Sequence, residues 1–554
     1  MGLPSGVVGG RVLSGGGVKD FVFKSGLSGG YTLRSVGALT SKPYAFTSRS
    51  WELKSTESVD IFDGVGCNVR VDTRGSEIMR VLPRLNEDVN EEWISDKSRF
   101  SYDGLKTQRL TQPMVKDKNQ QLVPIGWDKA RILLKHVVLQ LDRKYSESGY
   151  EAHAVIGPYV DTLSAVKLRS QFLSHFSNPV FTVQEQPQSV SISKGLDTMS
   201  FSDLRHSYLL NTGLSGMENA DLVLLVGSNP RYEAPLLNTR IRKAVMHHGA
   251  QVLSIGAAAN LTYPHEHLGT SLKTLDSLID GSHPMSGMIA EAERPAVLVS
   301  NAALQRTMDG GKVLKAVHAL CKKYPKFVQP GEGWMGMNVV QKSANTVGLM
   351  ELGFDDVWRG LRALGSETES PWKNAKFVFL MGADDIDGLL DEHELAEDCF
   401  VVYQGHHGDR GASRADLILP GAAYTEKAGI YVNMEGRVQQ GKLAFFPPGH
   451  AREDAETISV LFGEDWLPVE KANAGLETLS PALMNETTRR IPIDSEVELS
   501  ILDSLQSEYK SENSTSVPFA PPVDNFYMSD PITRASTTMA KCTRVATHDN
   551  FDTQ

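Results

Sequence analysis

The chain has 554 residues, 41% hydrophobic and 22% charged, with a formal net charge of −11. That describes a water-soluble chain long enough for roughly three or four domains, and it excludes disorder as the main state. No stretch approaches the roughly 18 consecutive apolar residues of a bilayer-spanning helix, and no basic or basic-aromatic stripe offers phosphate contacts, so neither a direct membrane span nor nucleic-acid binding is expected.

Residues 1–40 are rich in Gly and Ser and set Arg11, Lys19, Lys24 and Arg34 against the single acid Asp20. This balance suits a transit-like segment, a flexible tail, or an extended arm lying on a partner. Residues 41–115 read as a small β-rich domain built on a hairpin. Asn68 to Asp72 alternates like a strand, Thr73 to Ser76 turns, and Glu77 to Leu82 returns.

From about residue 125 helices alternate with short, nearly unbroken apolar strands. The spacing predicts helices over 127–141 and 162–176, and strands over 152–156, 179–183, 221–226, 251–255, 296–299, 376–381, 400–403 and 416–419. Leu237, Ile241, Ala244 and Val245 mark one face of a helix ending at Gly249. Strands with no polar face are buried on both sides, so the expected fold class is α/β, with multi-lobed doubly wound parallel sheets after the small β-rich domain. The expected divisions are lobe 1 over 116–330, lobe 2 over 331–505 and an extended tail without periodicity over 506–554.

The four cysteines, Cys67, Cys321, Cys399 and Cys542, are far apart, with no C-x2-C pair. Few cysteines in a long chain argue for a reducing compartment, and the dispersed pattern cannot frame an iron–sulfur or structural zinc site from one short loop. The sequons at Asn260, Asn485 and Asn513 do not outweigh that argument.

Among local motifs, Gly227-Ser228-Asn229-Pro230 closes a strand with a tight turn, Asn as N-cap and Pro at the first helical position. Such a turn is either a phosphate cradle or simply a well-capped junction. Glu233 favours the second, because a carboxylate in the first helical turn already satisfies the dipole and repels phosphate. His406-His407 and His265-Glu266-His267 are read as packed loops rather than metal sites. No nucleophile elbow or Walker loop is present, and no catalytic residues are assigned.

Three segments and the tail carry a resemblance. Val36-Gly37-Ala38-Leu39-Thr40 through Phe46, Met79-Arg80-Val81-Leu82-Pro83-Arg84 through Trp93 to Lys106, Gln404-Gly405-His406-His407-Gly408-Asp409 through Lys427, and Phe526 to Asp530 with Met539-Ala540-Lys541-Cys542 resemble the largest iron–sulfur subunit of mitochondrial respiratory complex I. The resemblance runs from about residue 36 onward and implies a large domain similar to molybdopterin oxidoreductases.

In the family's register the [4Fe–4S] ligand positions are occupied by Asp60, Asp63, Cys67 and Ser95, and one thiolate of four implies vestigial positions with no metal. Gly227, Ser228, Asn229 and Pro230 resemble a pterin-dinucleotide loop made vestigial by the bulky residues after it, and the family's last amino-terminal cluster-ligand segment is replaced by Arg34-Ser35. The resemblance thus implies a cofactor-free structural subunit of the peripheral arm of NADH:ubiquinone oxidoreductase on the matrix side of the mitochondrial inner membrane. It would correspond to the large domain alone, with 4Fe–4S and 2Fe–2S clusters on a separate iron–sulfur partner chain among the other peripheral-arm subunits. The alternative is an active molybdopterin-dependent oxidoreductase.

Overall fold

The computed structural model describes residues 44–184, 205–307, 310–354, 374–384, 398–462 and 516–551, with a few short stretches between them. The expected arm over 1–40 and the last quarter of the expected lobe 2, from 463 on, lie outside the described residues.

The β-rich domain is a three-stranded antiparallel sheet of Lys54–Val59, Asn68–Arg74 and Glu77–Pro83. Its hairpin turns at Gly75, whose φ of 62° lies in the left-handed region that favours glycine. Asp72 is buried in this sheet and tolerable there because Ser55 Oγ donates to it at 2.7 Å and the Arg80 guanidinium lies at 2.7 Å.

Two larger sheets carry the rest. One has five parallel strands in the order Glu266–Gly269, Gln251–Ile255, Leu222–Val226, Pro295–Ser300, Met337–Val340. The other has seven, in the order Leu122–Pro124, Met114–Lys116, Leu417–Pro420, Phe400–Gly405, Ala375–Met381, Glu151–Ile156, Pro179–Val183. The first two of these run antiparallel and the rest parallel. Every residue of Leu222–Val226 and of Pro295–Ser300 is buried, which is why these strands lack a polar alternation. The expected doubly wound parallel sheets are therefore present.

The sheets do not follow the expected division at residue 330. The seven-stranded sheet takes Glu151–Ile156 and Pro179–Val183 from before the five-stranded unit and Ala375–Met381 from after it. The five-stranded unit is inserted within the other, because a parallel sheet accepts a whole subdomain in one of its crossover connections as readily as a helix.

Both sheets reverse winding order at one point, and that point sets the location of a crevice beyond the strand ends. In the seven-stranded sheet it lies between Glu151–Ile156 and Ala375–Met381, and in the five-stranded sheet between Leu222–Val226 and Pro295–Ser300. At the first, backbone meets backbone. Gly157 N donates to Met381 O at 2.8 Å, and a Cβ on Gly157 would fall 1.8 Å from Gly382 O. Gly157→Ala is expected to cost about 1–3 kcal/mol by overpacking, read as a lowered urea midpoint with unchanged slope; an unaltered midpoint would show that the two strand ends can part freely.

The tail departs from its expected irregularity. Residues 537–551 form a helix, preceded by the short helix Pro531–Arg534, whose N-cap Asp530 accepts from Thr533 N at 2.9 Å. Polar surface spacing hides this helix from a periodicity reading, since among its described side chains Met539 alone is buried.

Candidate functional site

The loop after Lys54–Val59 brings Asp60, Asp63 and Cys67 together, with one donor atom from each within 4.8 Å of the others. All three are buried. The loop is held by Asp60 N donating to Cys67 O at 2.8 Å, by Met434 N donating to Gly64 O at 2.8 Å and by Asn433 Nδ2 donating to Val65 O at 3.0 Å. Two glycines make its tight path possible: a Cβ on Gly64 would lie 2.2 Å from Gln341 O, and Gly66 has φ +67°.

Each carboxylate is partly anchored. Asp60 accepts from Phe62 N at 3.3 Å and from Ser98 Oγ, and Asp63 Oδ1 accepts from Val65 N at 3.0 Å. Asp63 Oδ2 is buried without a hydrogen-bond partner. Burial raises the Asp60 carboxyl to about 6 and the Asp63 carboxyl to about 7, and pushes the Cys67 thiol up. The cation acting on both carboxyls is Lys97, whose Nζ donates to Phe62 O at 2.9 Å and to Ser529 Oγ at 3.1 Å. Ser95, the fourth position singled out in the sequence, caps the helix Asp96–Phe100 by accepting from Ser98 N at 3.1 Å. Ser95 therefore meets Asp60 only through Ser98.

At the five-stranded sheet's crevice, Gly227 has φ +63° and Pro230 begins a four-residue helix, Pro230–Glu233. Asn229 stands at the N-cap position, but its side chain makes no capping bond. The Glu233 carboxylate does that work instead. It accepts from Asn229 N at 2.7 Å, from Ser228 Oγ at 3.0 Å and from Ser300 Oγ. The polar groups a phosphate would need are thus spent on a side chain of the same chain, and the turn does not fit a pterin dinucleotide. Phe519 from the tail packs beside Gly227, 3.6 Å from where a Cβ would stand.

Burial raises the Glu233 carboxyl to about 7, above its ordinary 4.5. A raised folded-state pKa contributes stability that is full below about pH 4.5 and lost as pH rises through about 7. Glu233→Gln is therefore expected to grow more stable relative to the parent between pH 5 and 8, by about 2.5 kcal/mol over the interval. Parallel urea titrations at the two pH values check this, and a pH-independent difference would contradict it.

The seven-stranded sheet's crevice is closed by residues that local sequence patterns do not single out as a site. Lys427 Nζ lies 2.8 Å from Asp161 Oδ2 and against Asp454 Oδ2, and Gln404 Nε2 donates to Asp454 Oδ1 at 2.9 Å. All are buried. Beside them Arg109 makes a two-pronged pair with Glu426 at 2.5 Å. The cavity left among Tyr159, Gly382, His406 and Lys427 has a volume of about 20 Å³, the scale of one water.

His407 Nε2 contacts Gly104 O at 2.9 Å and the ring also meets His406. Burial holds both imidazoles below their ordinary range, His407 at about 4. They pack as expected. His265-Glu266-His267 does not: Glu266–Gly269 is an edge strand, with His267 Nδ1 3.3 Å from Ser254 Oγ. The flanking Pro264 and Gly269 suggest a loop, but strand edges tolerate both.

Family models match three parts of the chain: molybdopterin oxidoreductase over residues 109–464, the NADH-ubiquinone oxidoreductase NDSU1/NuoG-like 4Fe-4S domain over 53–103, and the carboxy-terminal domain of the NuoG-type NADH-ubiquinone oxidoreductase protein over 469–542. The chain is 41% identical over 531 residues to the NADH-ubiquinone oxidoreductase 75 kDa subunit of Reclinomonas americana, covering 95% of the chain and 73% of the relative. It is 41% identical over 512 residues to the mitochondrial 78 kDa subunit of Candida albicans, covering 92% and 66% respectively. The same identity over 512 residues relates it to the mitochondrial NADH dehydrogenase (ubiquinone) iron-sulfur protein 1 of Solanum tuberosum, covering 92% and 64%. The chain thus spans about two thirds of the length of these relatives.

The match over 53–103 corrects one expectation. The cysteine pattern places cofactor binding entirely on a separate chain, yet the family's 4Fe–4S domain, with the loop of Asp60, Asp63 and Cys67, is part of this chain. The cysteine count misleads because it weighs thiols alone, whereas a domain is recognised along its whole length. The donors are two carboxylates and a thiol, with a hydroxyl at Ser95, where a four-iron cluster takes four thiolates.

Proposed function

The chain belongs to the family of the NADH-ubiquinone oxidoreductase 75 kDa subunit, and we propose that it serves as a structural subunit of the peripheral, matrix-facing arm of proton-pumping NADH:ubiquinone oxidoreductase in mitochondria. The observation that carries this reading is the filled crevice of each large sheet, by Lys427 between Asp161 and Asp454 in one and by Glu233 between Ser228 and Ser300 in the other. Ligands of open α/β sheets bind at such switch points, and among the described residues both are occupied by the chain's own buried side chains, which favours a structural role over pterin or substrate binding there.

Its partners are the other subunits of that complex. They include an iron–sulfur chain that carries most of the electron path, since the described residues bring a single thiol to the 4Fe–4S domain. No helix among the described residues is long and apolar enough to cross a membrane, which suits attachment through protein contacts.

Native gel electrophoresis of mitochondrial extracts followed by mass spectrometry tests the reading. The chain is expected to co-migrate with NADH dehydrogenase activity and other complex subunits. Migration alone with stoichiometric molybdenum and pterin would instead support an active molybdopterin-dependent oxidoreductase.

A further inference from the structure

We propose that the loop carrying Asp60, Asp63 and Cys67 binds one divalent transition-metal ion through the two carboxylates and the Cys67 thiolate. The argument begins with geometry. Three donors of metal-binding type lie within 4.8 Å of one another, and all are fully enclosed by the fold, at 1%, 1% and 0% exposure. Bonds of about 2.0 Å to oxygen and 2.3 Å to sulfur need the donors closer by roughly an ångström, a shift within reach of side-chain rotation.

The second observation points to a ligand directly. Asp63 Oδ2 is buried and has no hydrogen-bond partner, although it belongs to the same small cluster. A buried oxygen left unpaired carries a desolvation cost that a bound cation removes. The other oxygen, Asp63 Oδ1, is fixed by Val65 N, and Asp60 is fixed by Phe62 N and Ser98 Oγ. Such outer contacts orient metal-binding carboxylates.

Charge sets the valence. Two carboxylates and a thiolate carry three negative charges, and Lys97, the cation felt by both carboxyls, offsets one. Asp530, which acts on both Asp60 and Lys97, and Lys342, which acts on Lys97, are of opposite sign and leave that formal count unchanged. Two negative charges remain, which one divalent ion neutralises. On binding, the Cys67 S–H proton and any proton held by the Asp63 carboxyl, which burial raises to about 7, leave to solvent, and metal–sulfur and metal–oxygen bonds replace them.

Donor type sets the kind of ion. Calcium and magnesium take six or more oxygens, and copper(I) favours sulfur alone, whereas zinc or iron(II) accepts a mixed set of two oxygens and one sulfur. The set is also too oxygen-rich for a four-iron cluster. In this family's 4Fe–4S domain the site is therefore assigned to a single ion.

The test uses the full-length chain produced in zinc-supplemented medium and purified without chelator, with elemental analysis after gel filtration. About one zinc per chain is expected, with the Asp63→Asn and Cys67→Ser variants binding at least tenfold more weakly. Cobalt(II) loading during refolding should give a near-ultraviolet thiolate-to-cobalt band that Cys67→Ser abolishes while circular dichroism stays unchanged. Should that variant not fold, the parent's thermal midpoint with and without zinc supplies the answer, because an ion bound only to the native state must raise it. No retained zinc and no midpoint shift would overturn the proposal. So would four irons with acid-labile sulfide, or a cobalt spectrum indifferent to Cys67.

Discussion

Lys427→Met is expected to destabilise the chain by about 3–5 kcal/mol, the loss typical of breaking a buried ion pair from one side. Lys427 is 4% exposed at its side chain, Asp161 3% and Asp454 8%. Removing the ammonium leaves two enclosed carboxylates facing each other across a space too small to hydrate them. Each must then stay charged at high cost or take up a proton. Asp161 also caps the helix Thr162–His175 by accepting from Ser164 N at 3.0 Å, so a displaced Asp161 carries the helix start with it.

The companion variant separates charge from shape. Lys427→Met combined with Asp161→Asn and Asp454→Asn removes the whole charge set while keeping hydrogen-bonding groups, and should recover part of the lost stability, since apolar or neutral replacements of complete ion sets are often well tolerated. Urea midpoints of the two variants decide. If the single and triple variants lose equally, packing of the lysine stem rather than charge holds the crevice closed.

Ending the chain at residue 515 is expected to prevent stable folding. The segment from 516 onward binds three otherwise separate regions. Near the five-stranded sheet, Phe519 N donates to Thr270 O at 2.8 Å and Arg306 Nη1 to Pro521 O at 2.7 Å. In the β-rich domain, Thr107 Oγ1 donates to Ala535 O at 2.6 Å, and Asp103 accepts from Ser536 Oγ, Thr538 N and Thr538 Oγ1. Beside the seven-stranded sheet, Arg534 Nε pairs with Asp409 Oδ2 at 2.8 Å.

Phe519, Ile532 and Met539 are buried in this strap. At about 1.5–3 kcal/mol each, their loss alone removes roughly 6 kcal/mol, comparable with the whole stability of an ordinary domain. Size-exclusion chromatography and limited proteolysis of the truncated chain should report an expanded or aggregated species. A compact, protease-resistant product with a native-like melting transition would show the strap to be dispensable. A milder probe, Gly104→Ala, places a Cβ 2.0 Å from Ile532 O and should loosen the strap without removing it.

Much of the framework was legible in the residues themselves. The strands Pro179–Val183 and Gln251–Ile255 have the limits their apolar runs indicate, and the helix Pro235–His248 stops at Gly249, whose φ of 72° only a glycine adopts easily. Such features depend on neighbours a few residues away. The candidate sites were legible unevenly. The turn at Gly227 and the competition from Glu233 could be read because five or six residues contain the whole arrangement. Asp60, Asp63 and Cys67 could be placed in one loop, but not Asp63's unpaired oxygen or the position of Lys97.

Sequence alone thus determined the class of fold, since unbroken apolar strands between helices require burial on both faces, and it determined the family through long matching runs. Tertiary structure decided the rest. Glu151–Ile156 and Ala375–Met381 lie side by side although a complete five-stranded unit separates them along the chain, and only their pairing puts Lys427 between Asp161 and Asp454. A charge in an exposed loop and a charge enclosed by two others are the same letter in a sequence. The difference between them is solvent, and solvent is excluded only when remote segments have packed.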